Sequence, residues 1–584
     1  MSATAGTPAQ DNKSLIHRFA GQALGSGWFS IVAMLCSVIV GLLIIYPLLV
    51  VTFNVFIRDG ASVPELLHQI VDDGLIEIFV NTVVVIGTSI VLAAMIGPLF
   101  AWLVERTDIG MAGLTRFLPM LPLLVPPIAG AIGWVLLASP RSGFLNQWWQ
   151  DIAGLFGVQA SNTTIDVYNI AGLVFVFTIY LVPNIFLTVS SHLRNLDPAL
   201  EEAARISGAG VWKTLLTVTI PSVKPAIFAG MIIALIMGLS LFSLPAVIGT
   251  PASIELLAVH IVQLMIASYP PQTGMALLLA LVLVAVIGTA SWLQSRVLAS
   301  SNFSTIGGRG IKVAAVQLGG YRILARMLLL FYVAISSVLP LFALVVVSVQ
   351  PFWTPVIKVQ DFVLAHYKSV FIDTDYSQSA VLNSIGLGIV GAALGMIVAA
   401  IIAFYIDRNR NTLASAAVDS VTKLPGAMSH LVIGIAFVVA FSGAPFFLYG
   451  TMAILLLAYI VLYIPQATLS ASASLTQVGR QLTEAALMSG ASQGTAFIRI
   501  TLPLMLPGLV AGWTLLFVLM SGDITASAML AGNRNPVVGF VILDLWANGS
   551  FPQLAALGTV TTLISSTLVL ITMHISRQSM RSPV

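Results

Sequence analysis

The amino-acid sequence predicts an all-α integral membrane protein of about twelve transmembrane helices arranged as two parallel six-helix repeats. Three observations predict this. The 584 residues are 58% hydrophobic and only 8% charged, with a mean hydropathy of +1.01, far from the balance of a water-soluble domain. The apolar residues gather into runs of the roughly 20 that a helix needs to cross the hydrocarbon core, not the alternating segments of about 10 that suit a barrel strand. Finally, the second half of the chain repeats the first at a fixed spacing.

In chain order, residues 1–28 form a polar tail containing Lys13 and Arg18. The first apolar run, 29–53, has full length and no small-residue cleavage pattern after it, so an uncleaved anchor is expected. Spans expected at 80–104, 117–138, 170–190, 226–248 and 272–295 complete a first domain, 29–296. A linker, 297–326, holds Arg309, Lys312, Arg322 and Arg326 without an acid, directly after Arg296. Its Gly307-Gly308-Arg309-Gly310 reads as a flexible joint. The second domain, 327–584, has spans expected at 327–349, 384–406, 426–443, 449–469, 506–528 and 555–575.

Of the 25 Lys and Arg, all but Arg58, Arg141, Lys358, Lys368 and Arg534 fall between spans on the side of the N-terminus. Positively charged loops stay inside, so both termini are expected in the cytoplasm of a multi-pass cell-membrane protein. The basic linker then reads as a topology determinant beside the anionic inner leaflet, and no nucleic-acid partner is expected. Cys36, the single cysteine, lies within the first span and excludes a disulfide framework or a thiolate metal site.

Pro183, Glu202, Ala203, Ala204, Ser207, Gly208, Ala209, Pro221, Pro225 and Gly230 recur at an offset of 282 as Pro465, Glu484, Ala485, Ala486, Ser489, Gly490, Ala491, Pro503, Pro507 and Gly512. Upstream, Asn81, Ala101, Glu105 and Arg106 match Asn383, Ala403, Asp407 and Arg408 at an offset of 302, which places an insertion of 20 residues in the loop at 139–169. The best-matched stretch is a polar loop between the fourth and fifth spans of each half, which suits docking better than packing. In the first half Asp197 can cap a helix that has Pro198 at its first position. Glu201 and Glu202 lie near the positive end of its dipole, and Gly208 allows the turn that stops it. A second short helix, about 210–219, is expected to run into Pro221, giving a rigid helix-turn-helix on the cytoplasmic face. A side chain at either glycine should cost about 1 kcal/mol if the turn is left-handed.

Glu202-Ala203-Ala204, Gly208 and Ile220-Pro221, with Glu484-Ala485-Ala486, Gly490 and Leu502-Pro503, resemble the EAA loops of binding-protein-dependent ABC importer permeases. The resemblance implies the type I importer fold and makes both loops coupling helices for a separate ABC ATPase homodimer on the cytoplasmic side. The implied docking residues are Glu201, Glu202, Ala203, Ala204, Gly208 and Pro221, then Glu484, Ala485, Ala486, Gly490 and Pro503. It also implies an extracytoplasmic substrate-binding protein and alternating access driven by closure of the ATPase dimer. The chain has no Gly-x-x-x-x-Gly-Lys-Ser/Thr. It is therefore expected to be a translocation subunit, not an enzyme, with no cofactor of its own. ATP and Mg are used by the partner.

The fused form and several strings are similar to the iron(III)-type subfamily. They are Leu121-Pro122-Leu123-Leu124-Val125-Pro126-Pro127, Gly143-Phe144-Leu145-Asn146, Leu244-Pro245-Ala246-Val247-Ile248-Gly249-Thr250-Pro251 and Gly522-Asp523-Ile524-Thr525-Ala526-Ser527-Ala528-Met529-Leu530. Ferric iron is the cargo this resemblance implies; relatives in the same subfamily import 2-aminoethylphosphonate, thiamine or polyamines. Leu424-Pro425-Gly426-Ala427-Met428-Ser429 lacks the second proline of Leu-Pro-x-x-x-Pro, so a less kinked helix is expected there. An ion-coupled secondary transporter would place several ionisable groups in mid-membrane and would need no docking loop.

Asp523 is the one carboxylate clearly inside a span, and is either a pathway contact for a cation or a locally paired acid. His260 and His430 read as structural residues. Asn146, Trp148 and Trp149 in the insertion either touch the binding protein or anchor the loop at the interface.

Overall fold

The computed structural model describes residues 27–54, 57, 75–111, 114–156, 165–197, 199–269, 272–300, 316–409, 412–478 and 480–579. The polar tail through residue 26, Pro198, Arg309, Lys312 and the Gly307–Gly310 stretch lie outside the described residues. Among the described residues every regular element is helical, which satisfies the backbone within each segment as lipid requires.

The first half contains α1 (Gly27–Phe53), α2 (Leu75–Arg106), α3 (Pro127–Ala138), α4 (Phe144–Leu155), α5 (Ile170–Asn195), α6 (Ala199–Ile206), α7 (Val211–Ser240), α8 (Leu257–Ile266) and α9 (Thr273–Ser300). The second contains α10 (Tyr321–Val349), α11 (Asp375–Arg408), α12 (Leu413–Lys423), α13 (His430–Phe441), α14 (Met452–Val478), α15 (Arg480–Met488), α16 (Gln493–Ser521), α17 (Thr525–Leu530), α18 (Val538–Ala547) and α19 (Phe551–Ser579). The halves correspond in their main elements, α2 with α11, α3 with α13, α5 with α14, α6 with α15 and α7 with α16, as the repeat predicts, while α4 of the inserted loop has no counterpart.

Among the described residues nine helices are long and apolar enough to cross a membrane, or eleven when each of two bent pairs is taken as one span. The expected third span, 117–138, is a 3-10 turn, Leu118–Leu124, followed by the 12-residue α3. At 1.5 Å per residue α3 covers about 18 Å of a core about 30 Å thick. Its counterpart is also broken: Leu413–Gly426 and α13 meet at 102°. The chain turns sharply between Gly426 and His430 without the second proline, so the less kinked helix expected there does not form.

Three of the π turns among the described residues lie inside long membrane helices: Leu215–Thr219, Ala334–Val338 and Phe497–Thr501. Each is followed by a proline at the second position of the next helical segment: Pro221, Pro340 and Pro503. Proline removes a donor and crowds the carbonyl four residues back, so the ladder before it opens to the wider spacing. This corrects the separate helix expected at about 210–219, because Val211 to Ser240 is one continuous element.

Packing exchanges elements between the halves. α1 lies against α11, α12 and α13, all in the second half, while α10 lies against α3 of the first and α19 of its own half. Phe29 of α1 meets Phe404 and Phe497 at ring-centroid distances of 5.2 and 5.1 Å.

The end of the linker is docked, not free. Val316 N donates to Arg106 O at 2.9 Å and Asp108 N to Val316 O at 3.1 Å, forming an isolated bridge between Thr107 and Val316. Asp108 also receives Leu318 N at 2.8 Å and an ion pair from Arg322, while Arg326 Nε donates to Ile109 O at 2.7 Å. The acid that the linker lacks is supplied by the residues just after α2.

Candidate functional site: two turn loops and a buried carboxylate

The matched loops fold alike. In the first, Asp197 accepts from Ala199 N at 2.9 Å and caps α6. Gly208 then takes φ +84° and Gly490 takes φ +86°. Around them the same bonds close each helix: Ala209 N to Ala204 O at 3.0 Å and Ala491 N to Ala486 O at 3.1 Å. A Cβ on either glycine would meet nothing within 4 Å, so the requirement for glycine comes from the backbone alone.

Glu202 and Glu484 are exposed, as are Ala203 and Ala485, while Ala204 and Ala486 are half-buried beneath them. Sequence reasoning missed the apolar part of this face. Leu200 and Leu482 are both 51% exposed, and Ile206 and Met488 are 87% and 89% exposed, each pair again 282 residues apart. Two short helices each carry a pair of bare apolar side chains beside an exposed carboxylate, as a surface that docks on another protein does. The signal was in the repeat: Leu200 and Leu482 are identical, and Ile206 and Met488 are both apolar where a solvated helix would be polar.

Glu201 does not share that face. It is 3% exposed, and its Oε1 accepts from Thr219 Oγ1 at 2.8 Å and lies 3.5 Å from Arg106 Nε, the last residue of α2. Arg106, itself buried, donates from Nη2 to Leu196 O at 3.0 Å. Glu201 is thus withdrawn from the set of docking residues: adjacent helix positions point about 100° apart, and while Glu202 looks outward Glu201 bolts the short helix to a membrane helix. In the second half its position is Thr483, whose hydroxyl meets that of Thr501 at 3.2 Å. Pro221 and Pro503 are exposed and follow the π turns that lead into the membrane part of α7 and α16.

Beside the bolt, Glu105 accepts from Ser190 Oγ at 2.7 Å and from Arg116 Nη2 at 2.9 Å.

Asp523 lies in the break between α16 and α17 and is buried. Its Oδ1 accepts from Ala526 N at 2.9 Å and Ser527 N at 3.3 Å, which caps α17. Its Oδ2 accepts from Tyr463 OH at 2.9 Å and lies 3.2 Å from His430 Nδ1. Of the two roles weighed for Asp523, local pairing is present in this structure. His430, read as structural from the sequence, is its partner; the two are 93 residues apart and no spacing rule links them. His260 pairs with Glu255 at 2.9 Å. Asn146 clips the inserted loop, its Nδ2 donating to Ser139 O at 2.9 Å and to Ile165 O at 2.8 Å. It is buried and offers nothing to a binding protein, while Trp148 stacks on Phe144 and Trp149 is exposed.

Residues 18–299 and 391–582 each match the family model for the inner membrane component of binding-protein-dependent transport systems. The ferric transport system permease protein of Actinobacillus pleuropneumoniae is 23% identical over 566 residues, covering 94% of this chain and 79% of its own. An Fe(3+)-transport system permease protein of Haemophilus influenzae is 24% identical over 489 residues, 82% of this chain and 85% of its own. The molybdenum transport system permease protein of Escherichia coli is 29% identical over 155 residues, 26% of this chain and 63% of its own. Among solved structures, a bacterial ABC transporter for import of the polysaccharide alginate matches at a TM-score of 0.37 and 18% identity, covering 44% of this chain and 96% of that one.

Proposed function

The chain belongs to the family of binding-protein-dependent transport system inner membrane components, and from that premise we propose that it is the translocation subunit of an ATP-driven importer of ferric iron. The observation that carries the proposal is the pair of docking faces. Glu202, Leu200 and Ile206 around Gly208, and Glu484, Leu482 and Met488 around Gly490, are exposed in the same way on two loops of one chain. Two equal faces suit a dimeric partner with two equal clefts, here the ABC ATPase that binds ATP and Mg.

Closure of that dimer on ATP pushes both loops together. The first loop is bolted through Glu201 and Arg106 to α2, and each loop leads through a π turn into a membrane helix, α7 or α16. A push at the loop therefore reorients whole spans, a rigid-body exchange between two packed states. In this reading both termini are cytoplasmic, and the binding protein delivers cargo on the opposite face. Ferric iron is supported by the relatives that align along most of this chain.

Uptake of radiolabelled ferric iron by iron-starved cells, with and without the gene, tests the cargo. Loss on deletion and restoration by the intact gene is expected; unchanged uptake would sink ferric iron as cargo. Glu202→Ala with Glu484→Ala tests the docking faces. Co-purification of the ATPase should fall while the amount of permease in the membrane stays constant, and undiminished co-purification would remove the loops from the coupling role.

A further inference from the structure

The two halves share a backbone but not their buried polarity. Where α13 begins with His430, α3 begins with Pro127. Tyr463 of α14 has Leu181 of α5 as its counterpart at the offset of 282. Asp523 stands two residues before the helical segment that begins at Thr525, and Ser243 stands two before the one that begins at Pro245. The same architecture therefore forms with Pro127, Leu181 and Ser243, and the fold does not require His430, Tyr463 and Asp523. Capping of α17 does not require them all either, since Oδ1 alone serves it.

What remains unexplained by packing is Oδ2 of Asp523 with the two side chains that converge on it from two other helices. A buried carboxylate is retained inside a membrane bundle at considerable cost, and such groups mark pathways. No Lys or Arg pairs with it among the described residues; its partners are a phenol and an imidazole.

We propose that Asp523 Oδ2, Tyr463 Oη and His430 Nδ1 form a transit site that holds the ferric ion during translocation, an inference that rests on the iron cargo proposed above. Donors 2.9 and 3.2 Å apart subtend right angles at an ion bonded at about 2.1 to 2.3 Å, close to the usual range for nitrogen and oxygen ligands. A carboxylate and a phenolate are the hard oxygen donors that a highly charged cation prefers, and imidazole is a general iron ligand. Binding displaces the phenol proton of Tyr463 and shifts His430 to the tautomer protonated at Nε2, so that Nδ1 presents its lone pair and one proton leaves as the ion enters. His430 is the member that keeps partial access, its side chain 27% exposed against 3% for Asp523, and gives the approach. Both His430 and Asp523 sit at breaks in membrane helices, where a shift of one segment separates the donors and releases the ion.

The test uses the purified full-length chain titrated with ferric nitrilotriacetate while the visible spectrum is followed for a phenolate-to-iron charge-transfer band. The wild type should develop the band. Tyr463→Phe should abolish it while thermal unfolding confirms a folded chain, and Asp523→Asn should raise the half-saturation at least tenfold. Absence of the band in the wild type, or its persistence in folded Tyr463→Phe, overturns the site. Radiolabelled uptake separates this from the cargo reading: uptake without a band leaves iron as the cargo and removes the site. A band without uptake removes the transit role together with the cargo.

Discussion

The two turn loops have nearly the same backbone and different fastenings. In the first half a buried ion pair, Arg106 with Glu201, joined by Thr219, ties α6 to the end of α2. In the second the same place holds a neutral contact between Thr483 and Thr501, and Arg408, the counterpart of Arg106, is half-exposed. The exposed face and the left-handed glycine are common to both. The difference teaches that the outward face is what the repeat preserves, and that the inward bolt is replaceable as long as its polar atoms find partners.

That comparison can be broken or sharpened by substitution, with the largest effect expected at the ionic bolt. Arg106→Ala leaves Glu201 buried without its cation and should destabilise the purified chain by about 3–5 kcal/mol, whereas Arg408→Ala should cost about 1 kcal/mol or less. Thermal unfolding in detergent compares them, and equal losses would end the distinction between the bolts. Gly208→Ala and Gly490→Ala should each cost about 1–2 kcal/mol, and the two losses should agree because neither site is sterically crowded. A loss confined to one of them would show that the turns are not equivalent. Thr483→Val removes a single neutral hydrogen bond and should cost about 1 kcal/mol in the same assay. Smallest of all, Glu201→Thr combined with Arg106→Leu transplants the neutral bolt into the first half. The double variant should return to within about 1 kcal/mol of wild type, since removing both charges removes the desolvation penalty too.

Much of this was legible in the sequence. Helicity followed from composition, and the repeat located both loops, their glycines and the proline after each. Glu201 was misplaced because two adjacent acids at a helix start look alike to a dipole argument; only the inward partner, Arg106, tells them apart. The broken helices were read as full spans because apolarity measures the environment of a run, not its straightness, and 117–138 is apolar throughout. The cluster of His430, Tyr463 and Asp523 was hidden since its members come from three segments far apart in the sequence. The docked end of the linker was hidden for a similar reason: Asp108 belongs to a different domain of the sequence.

The exchange of α1 has a consequence for synthesis. This helix is made first, yet its packing partners α11, α12 and α13 emerge much later. The delay is roughly 400 residues, or about 20–80 s at 5–20 residues per second. Throughout that interval Phe29, Ala33 and Val40 lack the second-half surface that buries them in the finished fold. Burial of α1 therefore waits for the second half, which makes its docking a late step of assembly.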